Sequence, residues 1–160
     1  MRDDAGRSID YLRISVTECC NLSCSYCMPE GCGCPLGKEL STEEICRIAA
    51  ACTDLGITKL RITGGEPLLR KDLTELVGRL SRLPGITDMG LTTNGTLLAS
   101  RAQELKAAGL QRVNISLDTL QEDKYRRITG GGSLTAVWEG ICAAREAGLM
   151  PLKLNTVLIG

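Results

Sequence analysis

Three cysteines lie close together in the segment Cys20-Asn21-Leu22-Ser23-Cys24-Ser25-Tyr26-Cys27, with a C-x3-C-x2-C spacing. Thiolates at this spacing on one loop can converge on a single inorganic centre. Four-iron clusters usually take four protein thiolates, so three would leave one iron open to another ligand. An open coordination position is typical of a catalytic rather than a structural centre. A zinc site and a group of packed thiols are the alternatives, and the spacing alone leaves them open.

Three more cysteines lie near this segment and are candidate spare ligands. Cys19 adjoins Cys20 and could compete with it for a metal, and Cys32 and Cys34 follow in a loop rich in Gly and Pro. The polar N-terminus is no signal peptide, and no apolar run is long enough to span a bilayer. We therefore expect a cytoplasmic protein without a membrane partner, in which cysteines are ligands or packed thiols rather than a disulfide framework.

The composition excludes several other kinds of chemistry. The 160 residues contain no histidine, which removes Ser-His-Asp and Cys-His catalysis, most zinc hydrolase sites and Cys2His2 fingers. The 19 basic and 19 acidic residues give no net charge, and aromatic residues make up only 2% of the chain. Neither a basic surface nor a base-stacking platform is therefore predicted, and nucleic acid is not an expected partner.

Strands and helices are predicted to alternate along the chain. Short segments of alternating polarity predict strands at 11–17, 59–63, 88–94, 112–118 and 152–159. Between them, helices are predicted over about 42–55, 72–83, 100–109 and 133–148, with capping boxes at Ser41 and Ser100 and a cap at Ser133. This alternation predicts an α/β fold with parallel strands and right-handed crossovers. We expect a partial (β/α) TIM-like barrel, truncated after about five strands.

One face of the predicted sheet is polar. Parallel strands covered on both faces are usually continuous apolar runs, whereas these strands alternate between apolar and polar residues. A complete barrel fills its interior with apolar layers, so a polar interior predicts an open or partial barrel that holds a ligand there. Four residues on this face, which we call the polar wall, are Arg13, Arg61, Thr92 and Lys153.

The polar wall carries three cations that could bind an anion. If the first two strands pair, Arg13 and Arg61 lie about 4.8 Å apart and repel each other unless an anion lies between them. Clustered cations on a concave surface suit a phosphate-bearing substrate. The alternative is pairing of these cations with nearby carboxylates, for which the candidates are Asp88, Asp118 and Glu66.

Glycines follow two of the predicted elements. Gly64-Gly65-Glu66-Pro67 stands at the carboxyl end of the second strand, beside the cysteine segment in a barrel, and its two glycines allow a ligand to approach the backbone closely. The motif is weak when it stands alone, because such turns are common at strand ends. Gly130-Gly131-Gly132 predicts a flexible connection rather than a phosphate cradle.

Taken together, these segments resemble the radical S-adenosylmethionine superfamily and, within it, the GTP-cyclising family of molybdenum cofactor (molybdopterin) biosynthesis. The resemblance runs from about residue 8 to residue 160. Besides the cysteine segment, it rests on the strings at 12–17, 26–31, 61–68, 91–95 and 113–118. Five ordered strings are much more specific than the cysteine spacing alone.

The resemblance implies a role for each candidate site residue. Cys20, Cys24 and Cys27 would bind three irons of a [4Fe-4S] cluster, and the fourth iron would bind S-adenosylmethionine. Contacts to S-adenosylmethionine are implied at Tyr26, Gly64, Gly65, Glu66 and Ser116. Contacts to GTP are implied at Arg13, Arg61, Thr92 and Lys153. No side chain is expected to be the catalyst, because the cofactor carries the radical.

The resemblance also implies a lyase reaction and its partners. One electron from the cluster cleaves S-adenosylmethionine, and the resulting radical converts GTP to 3′,8-cyclo-7,8-dihydro-GTP. The partners would be GTP and a one-electron donor, and a homodimer of the full-length enzyme stays open. Other radical S-adenosylmethionine enzymes, which activate proteins or modify peptides, are the nearest alternative. A non-catalytic iron–sulfur or zinc module is the alternative from another class.

The length of the chain limits the predicted activity. Members of the GTP-cyclising family carry a second [4Fe-4S] cluster near the C-terminus, which contacts the guanine base, and that region is absent from this sequence. We therefore expect residues 1–160 to be the N-terminal portion of a radical S-adenosylmethionine core domain. Cluster and cofactor binding are expected of this portion, and the complete reaction is not.

Overall fold

The computed structural model of the chain describes residue 4, residues 6–27 and residues 39–158. The strands are β1 (Tyr11–Ser15), β2 (Lys59–Thr63), β3 (Asp88–Thr93), β4 (Arg112–Ser116) and β5 (Lys153–Asn155). The helices are α1 (Thr42–Asp54), α2 (Leu73–Leu80), α3 (Ala102–Ala107), α4 (Glu122–Thr129) and α5 (Leu134–Glu146), and a short 3-10 helix spans Pro67–Leu69.

The five strands form one parallel sheet in the order β1-β2-β3-β4-β5. Their apolar positions, such as Leu60, Ile62, Val113 and Ile115, are almost completely buried and pack with the helices in one hydrophobic core. Because side chains alternate along a strand, this arrangement leaves the polar positions on the opposite face. The predicted α/β fold with parallel strands is confirmed. Among the described residues, no helix has the length and apolar character that a membrane span requires.

The helix caps follow the sequence at two of three predicted positions. Ser41 and Glu44 form the predicted capping box of α1, and the Ser133 hydroxyl accepts a bond from the Ala136 N–H at the start of α5. The capping box predicted at Ser100 is wrong. Helix α3 begins one residue later without a side-chain cap, because the Ser100 hydroxyl donates to the Leu97 carbonyl at 3.2 Å instead.

Two elements differ from the prediction near the carboxyl edge of the sheet. Helix α4 was not predicted, because it buries only Tyr125 and Thr129 and so lacks the apolar stripe of an amphipathic helix. Strand β5 spans three residues rather than the predicted 152–159, although residue 159 lies outside the described part. Beyond β5, the Thr156 hydroxyl and the Val157 N–H bond to groups that follow β4, which ends the regular pairing.

Candidate active site

The cysteine loop, which we define as residues 17–27, follows β1 at the carboxyl edge of the sheet. The N–H groups of Ser23 and Ser25 donate to the Thr129 and Ile128 carbonyls, at 3.0 and 2.9 Å. These carbonyls belong to the last turn of α4, where an α-helix leaves its acceptors without intrahelical partners. The end of α4 therefore satisfies the backbone of the cysteine loop and fixes its position.

The glycines after α4 also pack against the cysteine loop. Gly130 ends the helix in a left-handed conformation, with φ at 70°, and a Cβ on it would lie 2.9 Å from the Ser23 carbonyl oxygen. A Cβ on Gly132 would lie 2.9 Å from atoms of Leu22 and Tyr125. Because of these close approaches, the connection predicted to be flexible is a packed support of the cysteine loop.

Gly64 and Gly65 hold the cysteine loop from its other side. The Gly65 N–H donates to the Thr17 carbonyl at 2.8 Å, and the Glu66 N–H donates to the Cys19 carbonyl at 2.7 Å. A Cβ on Gly64 would lie 2.5 Å from the Thr17 oxygen, and a Cβ on Gly65 would lie 2.6 Å from the Glu18 oxygen. The close backbone approach predicted here is therefore filled by the cysteine loop itself. Cofactor contacts at Gly64 and Gly65 stay a prediction.

The Glu66 carboxylate is fully buried and joins the ends of two strands. One oxygen accepts bonds from the Thr93 hydroxyl at 2.7 Å and the Leu68 N–H at 3.0 Å, and the other accepts from the Asn94 N–H at 2.7 Å. Burial raises the pKa of Glu66, and these three hydrogen bonds oppose that rise. Its side chain is thus occupied in fixing β3 against the residues that follow β2. A cofactor contact at Glu66 stays a prediction.

The thiols of Cys20, Cys24 and Cys27 form no disulfide, and the charges of Cys20 and Cys27 act on Cys24. Burial, and after it the charges of Cys20, Asp118 and Cys27, raise the pKa of Cys24 to about 11. A cationic centre would offset this repulsion and hold the groups as thiolates. The donor set therefore fits an iron–sulfur cluster, in which Cys20, Cys24 and Cys27 would each bind one iron.

The remaining metal-ligand candidates are not part of this set. Within the described ranges, no three side chains of Cys, Asp or Glu, including Cys20, Cys24 and Cys27, are grouped closely enough to hold a single metal ion, whereas a cluster would bind each thiolate through a different iron. Cys19 is disulfide-bonded, so the expectation that it is a spare ligand or a packed thiol is wrong. Cys32 and Cys34 lie outside the described residues.

Two more predicted cofactor residues lie at the same edge. The Tyr26 hydroxyl donates to the Asp118 carboxylate at 2.7 Å, and Asp118 lies two residues beyond Ser116, the last residue of β4. Burial and then the bond to Asp118 raise the pKa of Tyr26. The structure thus brings Tyr26 from the cysteine loop to the end of β4. Asp118 was named from the sequence only as a partner for a cation, and nothing there indicated its bond to Tyr26.

The polar wall has the arrangement predicted from strand periodicity. Arg13 and Arg61 are paired positions on β1 and β2. Arg61 is only 6% exposed, and its guanidinium crosses β3 over Gly90 to donate to the Asn114 amide oxygen at 3.3 Å. A side chain at Gly90 would collide with this guanidinium. A glycine inside a strand signals such a close approach, and it is the one sequence feature that could have indicated this contact.

Thr92 and Lys153 flank the same amide. Asn114 on β4 is the paired position of Thr92 on β3 and of Lys153 on β5. The Thr92 hydroxyl is buried and has no hydrogen-bond partner in the described part of the chain. Since buried hydroxyls are normally satisfied, this oxygen marks a place for a ligand atom or water.

The carboxylates proposed as partners for these cations are occupied elsewhere. Asp88 forms an ion pair with Arg112, Asp118 accepts from Tyr26, and Glu66 is held by the three bonds described above. Across residues 6–27 and 39–158, no ion pair includes Arg13, Arg61 or Lys153. The alternative in which these cations pair with Asp88, Asp118 or Glu66 is therefore wrong, and the cations are available to an anion.

The family of the chain follows from its similarity to known proteins. Residues 14–160 match the radical SAM superfamily, and the chain belongs to it. Two curated relatives, from Pelotomaculum thermopropionicum and Peptoclostridium acidaminophilum, are 57% and 58% identical over 99% of this chain, and each is named GTP 3′,8-cyclase. The chain spans 50% and 49% of their lengths. The predicted cofactors, a [4Fe-4S] cluster and S-adenosylmethionine, are those of this superfamily.

Solved structures share the fold at low sequence identity. Streptococcus suis SuiB bound to precursor peptide SuiA matches 94% of this chain with a TM-score of 0.77 and 21% identity, over 33% of its own length. HydG, a maturase of the [FeFe]-hydrogenase, matches 92% of this chain with a TM-score of 0.76 and 16% identity, over 34% of its length. These structures support the predicted fold, and their identities are too low to carry a substrate.

Proposed function

We propose that this chain supplies the cluster-binding and phosphate-binding half of an enzyme that cyclises GTP for molybdenum cofactor biosynthesis. The observation that carries the proposal is Arg61, a buried guanidinium beside Arg13 whose hydrogen bond goes to a neutral amide. A buried charge is costly unless it is paired, so this position favours an anionic ligand. The curated relatives named GTP 3′,8-cyclase make GTP the anion to test.

The cysteine loop would hold the cofactors at the carboxyl edge of the sheet. When bound, the cluster and S-adenosylmethionine supply a carbon-centred radical after one-electron reduction. The chain contributes three thiols at fixed positions, because Gly65 and Glu66 bond one part of the loop and the end of α4 bonds the other. Tyr26 and Ser116 would contact S-adenosylmethionine at the same edge.

The polar wall would hold the phosphates of GTP on the adjacent face. A guanidinium presents a planar set of donors that suits phosphate oxygens, so Arg61 and Arg13 would bind one group together. Lys153 would add a compact positive charge on β5. The Thr92 hydroxyl, which has no partner in the described part of the chain, would donate a hydrogen bond to a phosphate oxygen. Holding the phosphates here would orient the ribose toward the cysteine loop and reduce the entropic cost of reaction.

Titration of nucleotides into the anaerobically reconstituted chain tests this function. We expect GTP to change the electron paramagnetic resonance spectrum of the reduced cluster. Guanosine is the matched control, since it keeps the base and ribose but lacks the phosphates. Charge-assisted hydrogen bonds contribute about 1.5–3 kcal/mol each, so guanosine should bind at least about tenfold more weakly. Equal binding of GTP and guanosine, or no binding of GTP, would overturn the proposal.

A further inference from the structure

Asn94 lies directly after β3 and reaches one of the predicted cluster ligands. Its amide nitrogen is 4.0 Å from the Cys20 sulfur, within reach of a hydrogen bond to sulfur, and 2.9 Å from the Asn21 side-chain oxygen. The Leu22 N–H also donates to the Cys20 sulfur, at 3.5 Å. The Cys20 sulfur therefore faces a backbone donor from its own loop and a side-chain donor from the residue that follows β3.

The orientation of the Asn94 amide follows from its other contacts. Its oxygen accepts bonds from the Thr96 N–H at 3.0 Å and from the Thr96 hydroxyl at 2.7 Å. A backbone N–H can only donate, so the atom that faces it must be the amide oxygen. The NH2 group is therefore the end that faces Asn21 and Cys20.

The backbone of Asn94 is held as firmly as its side chain. Its N–H donates at 2.7 Å to the buried carboxylate of Glu66. The same carboxylate accepts from the Thr93 hydroxyl, which in turn accepts from the Gly95 N–H at 3.0 Å. Glu66 thus bonds Thr93 and the Asn94 backbone directly and Gly95 through the Thr93 hydroxyl, which fixes the backbone from which the Asn94 amide extends to the cysteine loop.

We propose that Asn94 raises the reduction potential of the cluster by donating its amide N–H to the Cys20 thiolate. A reduced cluster places more negative charge on its thiolates than an oxidised cluster, so a donor stabilises the reduced state more. Asn94 acts through a ligand and touches no reacting atom, and it is therefore a positioning residue. The inference rests on the cluster assignment of the proposed function but is independent of GTP.

Redox titration of the reconstituted chain, followed by electron paramagnetic resonance and without nucleotide, tests this role. Asn94→Ala removes the donor. Asn94→Asp keeps the oxygen that bonds Thr96 but replaces the NH2 group with a charged oxygen. Both variants should have a lower midpoint potential than the parent chain, with Asn94→Asp the lower of the two. The reduction equilibrium should shift by up to about tenfold for Asn94→Ala, which is ~59 mV for a one-electron couple.

Thr96→Val is the matched control for the structure of this turn. It removes the hydroxyl that bonds the Asn94 oxygen and accepts from the Asn21 amide, but it keeps the Thr96 backbone N–H and the contact to Cys20. Its midpoint potential should equal that of the parent chain. The inference would be overturned if Asn94→Asp had the same midpoint potential as the parent chain. It would also be overturned if Thr96→Val and Asn94→Ala lowered the midpoint potential equally.

Failure of the inference can be separated from failure of the proposed function. If the parent chain holds the cluster but does not bind GTP, only the proposed substrate is contradicted. The midpoint potentials of the Asn94 variants then still decide the inference. A parent chain that holds no iron after reconstitution contradicts the cluster and the inference together. Iron and sulfide analysis of the parent chain identifies that outcome before any variant is compared.

Discussion

The cysteine loop and the polar wall belong to one sheet but differ in how completely their polar groups are satisfied. The backbone of the cysteine loop is bonded from both sides, by Gly65 and Glu66 and by the end of α4. On the polar wall, Arg61 is buried and Thr92 is partly buried. Within residues 6–27 and 39–158, the Arg61 guanidinium bonds only the Asn114 amide oxygen and the Thr92 hydroxyl bonds no group. The proposed cofactor end is therefore preorganised by this chain, whereas the proposed substrate end leaves hydrogen-bonding capacity for a ligand.

This difference indicates a division of labour within the chain. A reactive centre needs fixed positions, because small displacements of reacting groups reduce rates strongly. A negatively charged substrate would itself pair with the cations of the polar wall. Cations that have no carboxylate partner within the described residues therefore make binding selective for an anion. Changes at the cysteine loop should therefore affect stability and cluster content, and changes at the polar wall should affect ligand affinity.

The largest effect is expected from Cys24→Ala. In the proposed assignment only three thiolates hold the cluster, so loss of one should abolish it. The fold should persist, since Cys24 lies on a loop outside the hydrophobic core. Iron and sulfide analysis measures the first effect and circular dichroism the second. Cys142→Ala, which changes an exposed free thiol on α5, is the control. Full iron content in Cys24→Ala would contradict the ligand assignment.

Gly65→Ala tests whether the cysteine loop depends on its glycine support. The added Cβ would lie 2.6 Å from the Glu18 carbonyl oxygen, so the loop must shift. Overpacking of this kind costs about 1–3 kcal/mol, and iron content should fall as well. Gly78→Ala on α2 is the matched control, because its Cβ would approach Ala108 at 3.9 Å and a helical alanine stabilises by up to ~1 kcal/mol. Thermal unfolding that is unchanged by Gly65→Ala would contradict this account.

Arg61→Gln separates the polar wall from the cysteine loop. Removing the guanidinium should weaken GTP binding by about tenfold to a hundredfold, the equivalent of a charge-assisted hydrogen bond. Cluster content should stay at the parent level. Arg145→Gln on α5 makes the same charge change at an exposed position and should bind GTP like the parent chain. If both variants lost the same GTP affinity, the effect would come from the net charge of the chain. That result would argue against a specific phosphate site.

The smallest effect concerns the support at the start of the cysteine loop. Arg70 donates from one nitrogen to the Val16 and Leu40 carbonyls, at 2.9 Å each, and is paired with Asp72. Arg70 and then the Thr42 hydroxyl hold the pKa of Asp72 below 3.8. The contribution of Asp72 to stability is therefore complete above pH 3.8 and is lost as the pH falls through its lower folded-state pKa.

Urea unfolding of Asp72→Asn measures this contribution. The Asp72 side chain is 40% exposed, so solvent screening limits its effect to less than about 1 kcal/mol. The variant should be slightly less stable than the parent chain at pH 7, and the difference should shrink toward pH 2. A difference that grows as the pH falls would have the wrong sign for this pair.

Much of the fold follows from residue patterns along single segments. Alternation with a period of two predicted both the buried face and the polar face, and it placed Arg13 and Arg61 side by side as the register shows. Ser41 and Ser133 were recognisable as caps because capping depends on neighbouring residues. Local chemistry was misleading at Ser100, where a turn competed for the same hydroxyl.

The contacts that shape the site join segments far apart in the chain. The bond from Ser23 to Thr129 and the contact between Asn94 and Cys20 depend on which elements meet at the carboxyl edge. The residue pattern of one segment indicates which of its faces is buried, but it does not indicate which other segment packs against that face. Neither contact was therefore predictable. Glu66 illustrates the same limit, because the sequence does not show that its carboxylate is buried against Thr93 and Asn94.

Metal analysis and electron paramagnetic resonance of the anaerobically reconstituted chain test the assignment of the cysteine loop most directly. We predict about four irons and four sulfides per chain, and a reduced-cluster spectrum that changes when S-adenosylmethionine is added, because one iron remains open to it. One zinc per chain with no iron, or a cluster spectrum that S-adenosylmethionine leaves unchanged, would contradict this account.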